Sequence, residues 1–464
     1  MAGPSPQSFD VIISGGGLVG LSLALALDQG GLSVAVIDPV PAATQLGEAF
    51  DGRAAAIGFA TFKMLQSLGL EPHLGEVQPI SDILVSDGRL GTLGKRGGPS
   101  SLTLHFDSQE MGGECAPLGW MIENRRIRLA LDSQVATRKG IARFSPDEIT
   151  RFGTLPGQVV AHLRSGAQLV APLLVGADGR GSYVRKASKI RTYGWSYGQT
   201  GIVTTVAMER PHGGVAHEFF LPSGPFAILP LMGNRANIVW SEKTARAKAL
   251  LALDPPAFEA ELARRFGDFL GQVQVDAPVW SYPLSLELAA QWCQPRVALV
   301  GDAAHGIHPI AGQGLNLGLK DVAALAEILV EARGLGQDLG DVSVLERYAS
   351  WRRTDTLMVA AACDGFVRLF SNDLAPVRTL RRLGLGIVDA TPHDLRRTGA
   401  SMMASELCKV PGEIIARVLN HTPIGSPVTQ IYNRYDYAAE KRSAMDVWAV
   451  ALMKVVASDR CPVS

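Results

Sequence analysis

A short apolar, β-branched run at residues 9–14 leads straight into Gly15-Gly16-Gly17-Leu18-Val19-Gly20, and then into an Ala- and Leu-rich stretch at 21–27. Strand, glycine turn and helix in that order predict a dinucleotide-binding unit. Gly15 permits the sharp turn, Gly17 lets the backbone approach a pyrophosphate, and Gly20 allows close packing of helix on strand. The start of the helix supplies free N–H groups and the positive end of its dipole. A second strand at 33–37 ends in Asp38, about 20 residues further on, where an acid can accept from a ribose hydroxyl. The spacing does not separate NAD from FAD.

Residues 11–27 also invite comparison with a signal or membrane helix. Gly15, Gly16, Gly17 and Gly20 interrupt that run, and the first Lys or Arg of the chain is Arg53, so no basic segment precedes it. It is also short for a span, which needs about 20 residues. Hydrophobic residues at 47% and charged residues at 19% fit a globular chain, and 464 residues leave room for two to three domains. The net charge of zero provides no basic field, so DNA is not an expected partner. Cys115, Cys293, Cys363, Cys408 and Cys461 show neither a CxxC pair nor metal-ligand spacing. That pattern points to a reducing compartment and no metal site. The expectation is a cytoplasmic protein without a transmembrane segment.

Two later segments favour FAD. Residues 173–179 form an apolar run ending in Asp178-Gly179, with Arg180, Ser182 and Arg185 close behind. Residues 297–305 form another, ending in Gly301-Asp302-Ala303-Ala304-His305 and continuing through Gly312-Gln313-Gly314 into a helix at 317–332. Asp302 can accept from a ribityl hydroxyl, or it can cap the following turn. Gly312 and Gly314 open a helix whose free N–H groups can hold the negative charge of a reduced flavin.

The trio GxGxxG, Gly176-Ala-Asp-Gly179 and Gly301-Asp-Ala-Ala-His305 resembles the flavin monooxygenases of the para-hydroxybenzoate hydroxylase class. The stretch His308-Pro-Ile-Ala-Gly-Gln-Gly-Leu-Asn-Leu-Gly-Leu-Lys-Asp321 resembles more specifically the ubiquinone-biosynthesis hydroxylases. Asp51-Gly-Arg-Ala-Ala-Ala-Ile57, Glu123-Asn-Arg125, Tyr197-Gly-Gln199 and Gly224-Pro-Phe-Ala-Ile-Leu-Pro230 agree with that family. The likeness covers residues 8–388. It implies an α/β fold: a Rossmann-like FAD-binding domain in two parts, about 8–190 and 290–388, with an inserted β-sheet substrate domain at about 191–289.

The resemblance implies FAD contacts at Gly15, Gly17, Gly20 and Asp38 for the ADP half, with Arg53 and Arg125 adding phosphate or ribityl contacts. Either arginine could instead be a solvated loop residue. Asp178 would close the dinucleotide site, and Asp302, Gly312 and Gly314 would surround the flavin end. The implied reaction is hydroxylation of an activated ring with O₂, the cofactor carrying the chemistry. His305 is either an acid–base group or a packing residue. Tyr197 and His217 are weaker pocket candidates on a sheet whose apolar lining reads like core. The implied substrate is a polyprenylated phenol met at the inner face of a membrane, by itself or within a ubiquinone-biosynthesis complex; a soluble phenol is the alternative. NAD(P)H is the implied electron donor. It would bind without a domain of its own, because neither Gly334-Leu-Gly336 nor Gly384-Leu-Gly386 sits in a dinucleotide motif.

The text changes at Thr391. Thr391-Pro-His393-Asp-Leu-Arg396, Asn420-His421 and Val428-Thr-Gln-Ile-Tyr432-Asn-Arg-Tyr-Asp-Tyr437 resemble the C-terminal half of a phage-type tyrosine recombinase catalytic domain, over residues 391–455. The resemblance makes Tyr432 the nucleophile and His393, Arg396 and His421 the phosphate-stabilising groups of a mainly helical tail. That family's first catalytic arginine and its lysine hairpin belong to the half that is missing. Losing one such donor costs about 10²–10³ in rate. Residues 391–464 hold nine Lys plus Arg against seven Asp plus Glu, which makes no basic patch for DNA. The expected tail is a truncated integrase-like segment fused to a flavin enzyme. The alternatives of another kind are a DNA-binding or recombining fragment, or an inactive fusion product.

Overall fold

The computed structural model describes residues 6–47, 52–88, 90–91, 97–99, 103–108 and 117–370. The segment 391–455, with His393, Arg396, His421 and Tyr432, lies outside the described residues, as does the end of the 8–388 range.

The expected nucleotide unit is built on a six-stranded sheet ordered Cys293–Gln294, Val297–Leu299, Leu173–Gly176, Val11–Ser14, Val34–Ile37, Ile141–Phe144. All neighbours are parallel except the Cys293–Gln294 edge. The strands Val11–Ser14, Val34–Ile37 and Leu173–Gly176 are buried throughout, as parallel strands covered on both faces must be. That burial explains their unbroken apolar spelling. Three segments far apart in sequence close this sheet, so both expected parts of the FAD-binding domain contribute strands to one layer. Helices Leu18–Gln29, Asn124–Ala136 and Gln313–Gly334 share its core through Leu23, Leu131 and Leu325. A meander of Ile149–Leu155, Gln158–Leu163 and Gln168–Ala171 joins the same core. Gln158–Leu163 alternates half-buried and buried residues, the pattern of a sheet with one wet face.

The substrate sheet has nine strands. Its main path runs His305–Gly306, Trp280–Ala289, Thr192–Met208, Arg235–Lys243, Gly224–Leu231, Val215–Leu221, Asp82–Asp87, Thr103–Asp107. The expected insertion at 191–289 supplies six of them, but Asp82–Asp87 and Thr103–Asp107 come from the N-terminal part and His305–Gly306 from the C-terminal part. Val215–Leu221 pairs with Asp82–Asp87 in parallel, His217 opposite Leu84. One face packs on helices Thr244–Leu251 and Pro255–Phe266 through Ile202, Phe226, Trp240, Phe258 and Phe266. The Pro255–Phe266 helix begins where Asp254 accepts the Ala257 N–H at 2.9 Å, with Pro255 at its first turn. It stops at Gly267, whose φ of 83° is left-handed. The other face looks toward the nucleotide unit, where Ala216 and Leu231 pack with Ile80, Met121, Ala54 and Ala56.

Helix Val342–Phe370 packs against Gln313–Gly334 and anchors to the parallel sheet through Tyr348, whose hydroxyl donates to the Leu299 carbonyl at 2.8 Å. Among the described residues no helix is long and apolar enough to cross a membrane.

Candidate active site

The glycine turn meets its steric demands. Gly15 has φ 110°, and a Cβ there would lie 2.4 Å from the Ala177 carbonyl oxygen. A Cβ on Gly20 would lie 1.9 Å from the Gly15 carbonyl oxygen, so the helix can approach the turn only without a side chain. Gly17 differs: among the described residues nothing lies within 4 Å of the place its Cβ would take. Helix Leu18–Gln29 starts there with no side-chain cap and no acid in its first turn. Its first N–H groups face open space, as a pyrophosphate requires.

Asp38 sits at the end of its strand as expected, and it also builds the turn. Its Oδ2 accepts the Gly16 N–H at 2.7 Å, and its Oδ1 accepts from Val40 N at 2.8 Å and Gln45 Nε2 at 2.7 Å. Gln45 in turn accepts from buried Arg128 Nη1 at 2.8 Å. A carboxylate has about four acceptor sites, so room remains for a ribose hydroxyl. Sequence reasoning missed Gln45 and Arg128; the one available signal was that Arg128 follows Arg125 by a helical i, i+3 step.

The remaining expected contacts divide. Asp178 accepts from Ser182 Oγ at 2.5 Å and Val184 N at 3.1 Å, so its carboxylate organises its own loop and the start of helix Tyr183–Ala187. Arg125 donates Nε to the Leu46 carbonyl at 3.2 Å and braces the loop after Asp38. Arg53 is exposed, and its guanidinium lies 5.0 Å from the centre of the Tyr282 ring, on the substrate sheet. Asp302 lies in the turn Gly301–Ala303, its side chain 46% exposed, with Arg180 Nε 3.4 Å away. That open carboxylate suits a ribityl hydroxyl. Arg180 also reaches Ser285 Oγ at 3.1 Å and the Ile307 carbonyl at 2.9 Å, tying the nucleotide unit to the sheet.

A second open helix start faces the sheet. Gly312, at φ 60°, begins Gln313–Gly334 with no side-chain cap and no acid in the first turn, and a Cβ on Gly314 would meet nothing within 4 Å among the described residues. Asn316 holds strand Ala54–Gly58 beside this opening: its Oδ1 accepts Gly58 N at 3.0 Å and its Nδ2 donates to the Ala56 carbonyl at 2.7 Å. Two uncapped helix starts, an acid at a strand end and an open acid at a second turn fit the phosphates, ribose, ribityl chain and anionic ring of a flavin dinucleotide.

His217, His305 and His308 are enclosed. His305 is 1% exposed, and its Nε2 lies 2.5 Å from Asp321 Oδ2, with Trp292 against its ring at 5.2 Å between centres. Asp321, fully buried, also accepts from Arg352 Nε at 2.9 Å and Gly301 N at 3.0 Å. His305 is therefore enclosed between Asp321 and Trp292, as a packing residue is. His217 faces Phe219 and Phe269 on the helix-covered side of the sheet, and burial lowers its pKa to about 4. Tyr197 donates to Asp364 Oδ1 at 3.0 Å, as Trp195 does at 3.2 Å, fastening the sheet to helix Val342–Phe370. Burial raises the Tyr197 pKa, so its hydroxyl stays protonated at neutral pH. The edge of its ring meets His308, whose pKa falls to about 4 through burial.

Glycine turn, open helix starts and overlying sheet together define a flavin-binding oxidoreductase. Residues 8–356 match the family model described as FAD binding domain. The chain is 47% identical over 390 residues to the ubiquinone hydroxylase UbiL of Rhodospirillum rubrum, across 84% of this chain and 88% of that protein. It is 35% identical to the 3-demethoxyubiquinol 3-hydroxylase of Escherichia coli, across 82% and 94%. With the ubiquinone biosynthesis monooxygenase COQ6 of Homo sapiens it shares 30%, across 82% and 90%. The p-nitrophenol 4-monooxygenase PnpA of Pseudomonas putida has the same fold, with a TM-score of 0.68 at 20% identity over 84% of this chain and 95% of that one. This chain belongs to the FAD-dependent monooxygenases, in the family of the ubiquinone hydroxylases, and FAD is its cofactor.

When bound, FAD supplies the activation of O₂ that ring hydroxylation needs. The residues that would hold it are Gly15, Gly17, Gly20 and Asp38 at the ADP half, and Asp302 with the Gly312–Gly314 helix start at the flavin end.

Proposed function

We propose that this enzyme hydroxylates a ring carbon of a polyprenylated phenol on the route to ubiquinone, with O₂ as oxidant and a reduced nicotinamide as electron donor. The 47% identity to a ubiquinone hydroxylase across most of both chains carries this reading. The sheet face above the Gly312 helix start supports it, because Val203, Ala227 and Val239 make an apolar floor suited to a prenylated ring. The enzyme meets its substrate at a membrane surface, as a peripheral protein or within a biosynthetic complex. The test is turnover of a prenylated phenol against the same ring without its tail, with products identified by mass. Strong preference for the tailed substrate supports the proposal; equal turnover supports the soluble-phenol reading.

The tail reads as the remnant of a fused tyrosine recombinase, with His393, Arg396, His421 and Tyr432 left without the rest of their site and with no DNA function. Salt-sensitive retention of DNA by the full chain, or a covalent DNA adduct at Tyr432, would overturn that.

A further inference from the structure

Glu218 stands out on the substrate sheet. It lies on Val215–Leu221, where side chains alternate between the two faces. His217, Phe219 and Leu221 turn toward the helix-covered core. Ala216 turns the other way, against Ala54, Ala56 and Met121 of the nucleotide unit. Glu218 shares the face of Ala216.

The pairing register extends that face into a transverse row: Val85 opposite Glu218, Glu218 opposite Ala227, Ala227 opposite Val239, Val239 opposite Val203, and Val203 opposite Trp280. Four strand spacings of about 4.8 Å separate Glu218 from Trp280. Three small apolar side chains lie between them. Trp280 closes the far end against Gly52, where an added Cβ would sit 2.0 Å from its ring. At the near end Ala56 packs under the same face and lies within 3.4 Å of the place a Gly312 Cβ would take. The row is an apolar floor beside the flavin-end helix start, with one carboxyl set into it.

That carboxyl has no hydrogen-bond donor and no cation against it among the described residues, although it sits deep in the protein. Its residue still keeps some accessible surface, as a group lining an internal space does. An unpartnered buried carboxyl costs stability unless a ligand uses it. The titratable groups on the strands flanking it are Asp82 and Asp87. Asp87 shares its face, opposite Phe220, while Asp82 points away into an ion pair with His105. Strand Gly224–Leu231 carries none. Burial alone raises the Glu218 pKa, to about 8.

We propose that Glu218 is the base that accepts the ring-hydroxyl proton of the phenol as the new C–O bond forms. This rests on reading the sheet face as the phenol site. The phenol O–H bond breaks, its proton goes to a Glu218 carboxylate oxygen, and its electron pair moves into the ring. The attacked carbon then takes one oxygen atom of O₂. The second oxygen leaves as water, with two electrons supplied by the reduced flavin. Loss of the C–H proton restores the aromatic ring, and Glu218 returns its proton to the ring oxygen. A base whose pKa is raised toward that of a phenol, about 10, is matched to this transfer better than an ordinary carboxylate.

The experiment uses full-length FAD-loaded enzyme with a short-chain prenylated phenol, comparing wild type with Glu218→Gln and Glu218→Asp from pH 6 to 9.5. The wild-type kcat should rise with pH through about 8, as the carboxylate forms. Below about pH 8 Glu218→Gln should keep KM, because an amide oxygen still accepts the phenol hydrogen bond. Its kcat should fall about 10²-fold and lose the rise. Glu218→Asp should recover part of both. Wild-type kcat and pH profile in Glu218→Gln would overturn the proposal while leaving the phenol reading intact. Should Glu218→Gln fail to fold, a flat wild-type profile between pH 6.5 and 9 overturns it equally. Wild-type enzyme that turns over no prenylated phenol but hydroxylates the ring lacking the tail would sink the substrate reading alone, and the same three profiles are then taken with that ring. A supporting signal independent of turnover is phenol binding by the oxidised enzyme, which should tighten as pH rises through about 8 in wild type and not in Glu218→Gln.

Discussion

The Gly16 backbone N–H donates to Asp38 Oδ2 at 2.7 Å, so the acid that ends the second strand also holds the glycine turn at the end of the first. One side chain thus sets the width of the nucleotide cradle. Asp38→Ala should remove this bond together with those to Val40 and Gln45, each worth about 1.5–3 kcal/mol with a charged acceptor. We expect FAD affinity to fall by at least about 10-fold, each decade being about 1.4 kcal/mol. Fluorescence titration of the apoprotein with FAD measures it, and unchanged affinity would contradict the assignment.

Two glycines of the same turn should fail differently. Gly20→Ala drives a methyl into the Gly15 carbonyl at 1.9 Å and should destabilise the apoprotein itself, by more than the roughly 1–3 kcal/mol of ordinary overpacking. Gly17→Ala meets open space and should leave apoprotein stability within about 0.5 kcal/mol while weakening FAD binding sharply. Urea denaturation without cofactor, set beside FAD titration, separates the two.

The buried cluster around Asp321 predicts a purely structural phenotype. Asp321→Ala leaves His305 and the Gly301 N–H without their acceptor and leaves Arg352 only Asp355 as a carboxylate partner, and should cost about 3–5 kcal/mol. His305→Gln should lower stability but leave turnover per bound flavin near wild type. A fall of about 10²-fold or more in that ratio, the size of a lost acid–base group, would restore His305 to the chemistry.

The lowered pKa values of His217 and His308 fix the direction of an acid response. Each is neutral when folded and binds a proton near pH 6.5 when unfolded, so between pH 6.5 and about 4 the unfolded chain carries more protons. Their contribution, up to about 3 kcal/mol each, is complete above pH 6.5 and is lost as pH falls toward 4. Glu218 works in the opposite sense: its raised pKa means that stability is lost as pH climbs from about 4.5 to about 8. Urea midpoints should therefore rise from pH 4 to 6.5 in wild type, and rise less in His217→Leu.

What the sequence disclosed follows from how each element is buried. The strands at 11–14, 34–37, 173–176 and 297–299 are covered on both faces and read as unbroken apolar runs, and the Gly15–Gly20 spacing is a steric rule visible in one dimension. Which face His217 takes was not legible, because one register step exchanges the faces of a strand and no local signal distinguishes them. His305 was ambiguous because its partner lies on a helix 16 residues later and meets it only after the chain turns back. The contact of Arg53 with Tyr282 was illegible for the same reason: the pairing is made by tertiary structure. Strands Asp82–Asp87 and Thr103–Asp107, which pair with each other, escaped assignment to the substrate sheet because the strand that joins them to it, Val215–Leu221, lies more than a hundred residues away.

That long-range parallel pairing limits what recombination between relatives can achieve. A transplant of residues 191–289 into another flavin hydroxylase would arrive without three of its nine strands and would set Val215–Leu221 against a foreign neighbour. The exchangeable module is discontinuous, the strands of 82–107 together with 191–289, with His305–Gly306 supplied by the host, and chimaeras that move both segments should assemble where single-segment swaps do not.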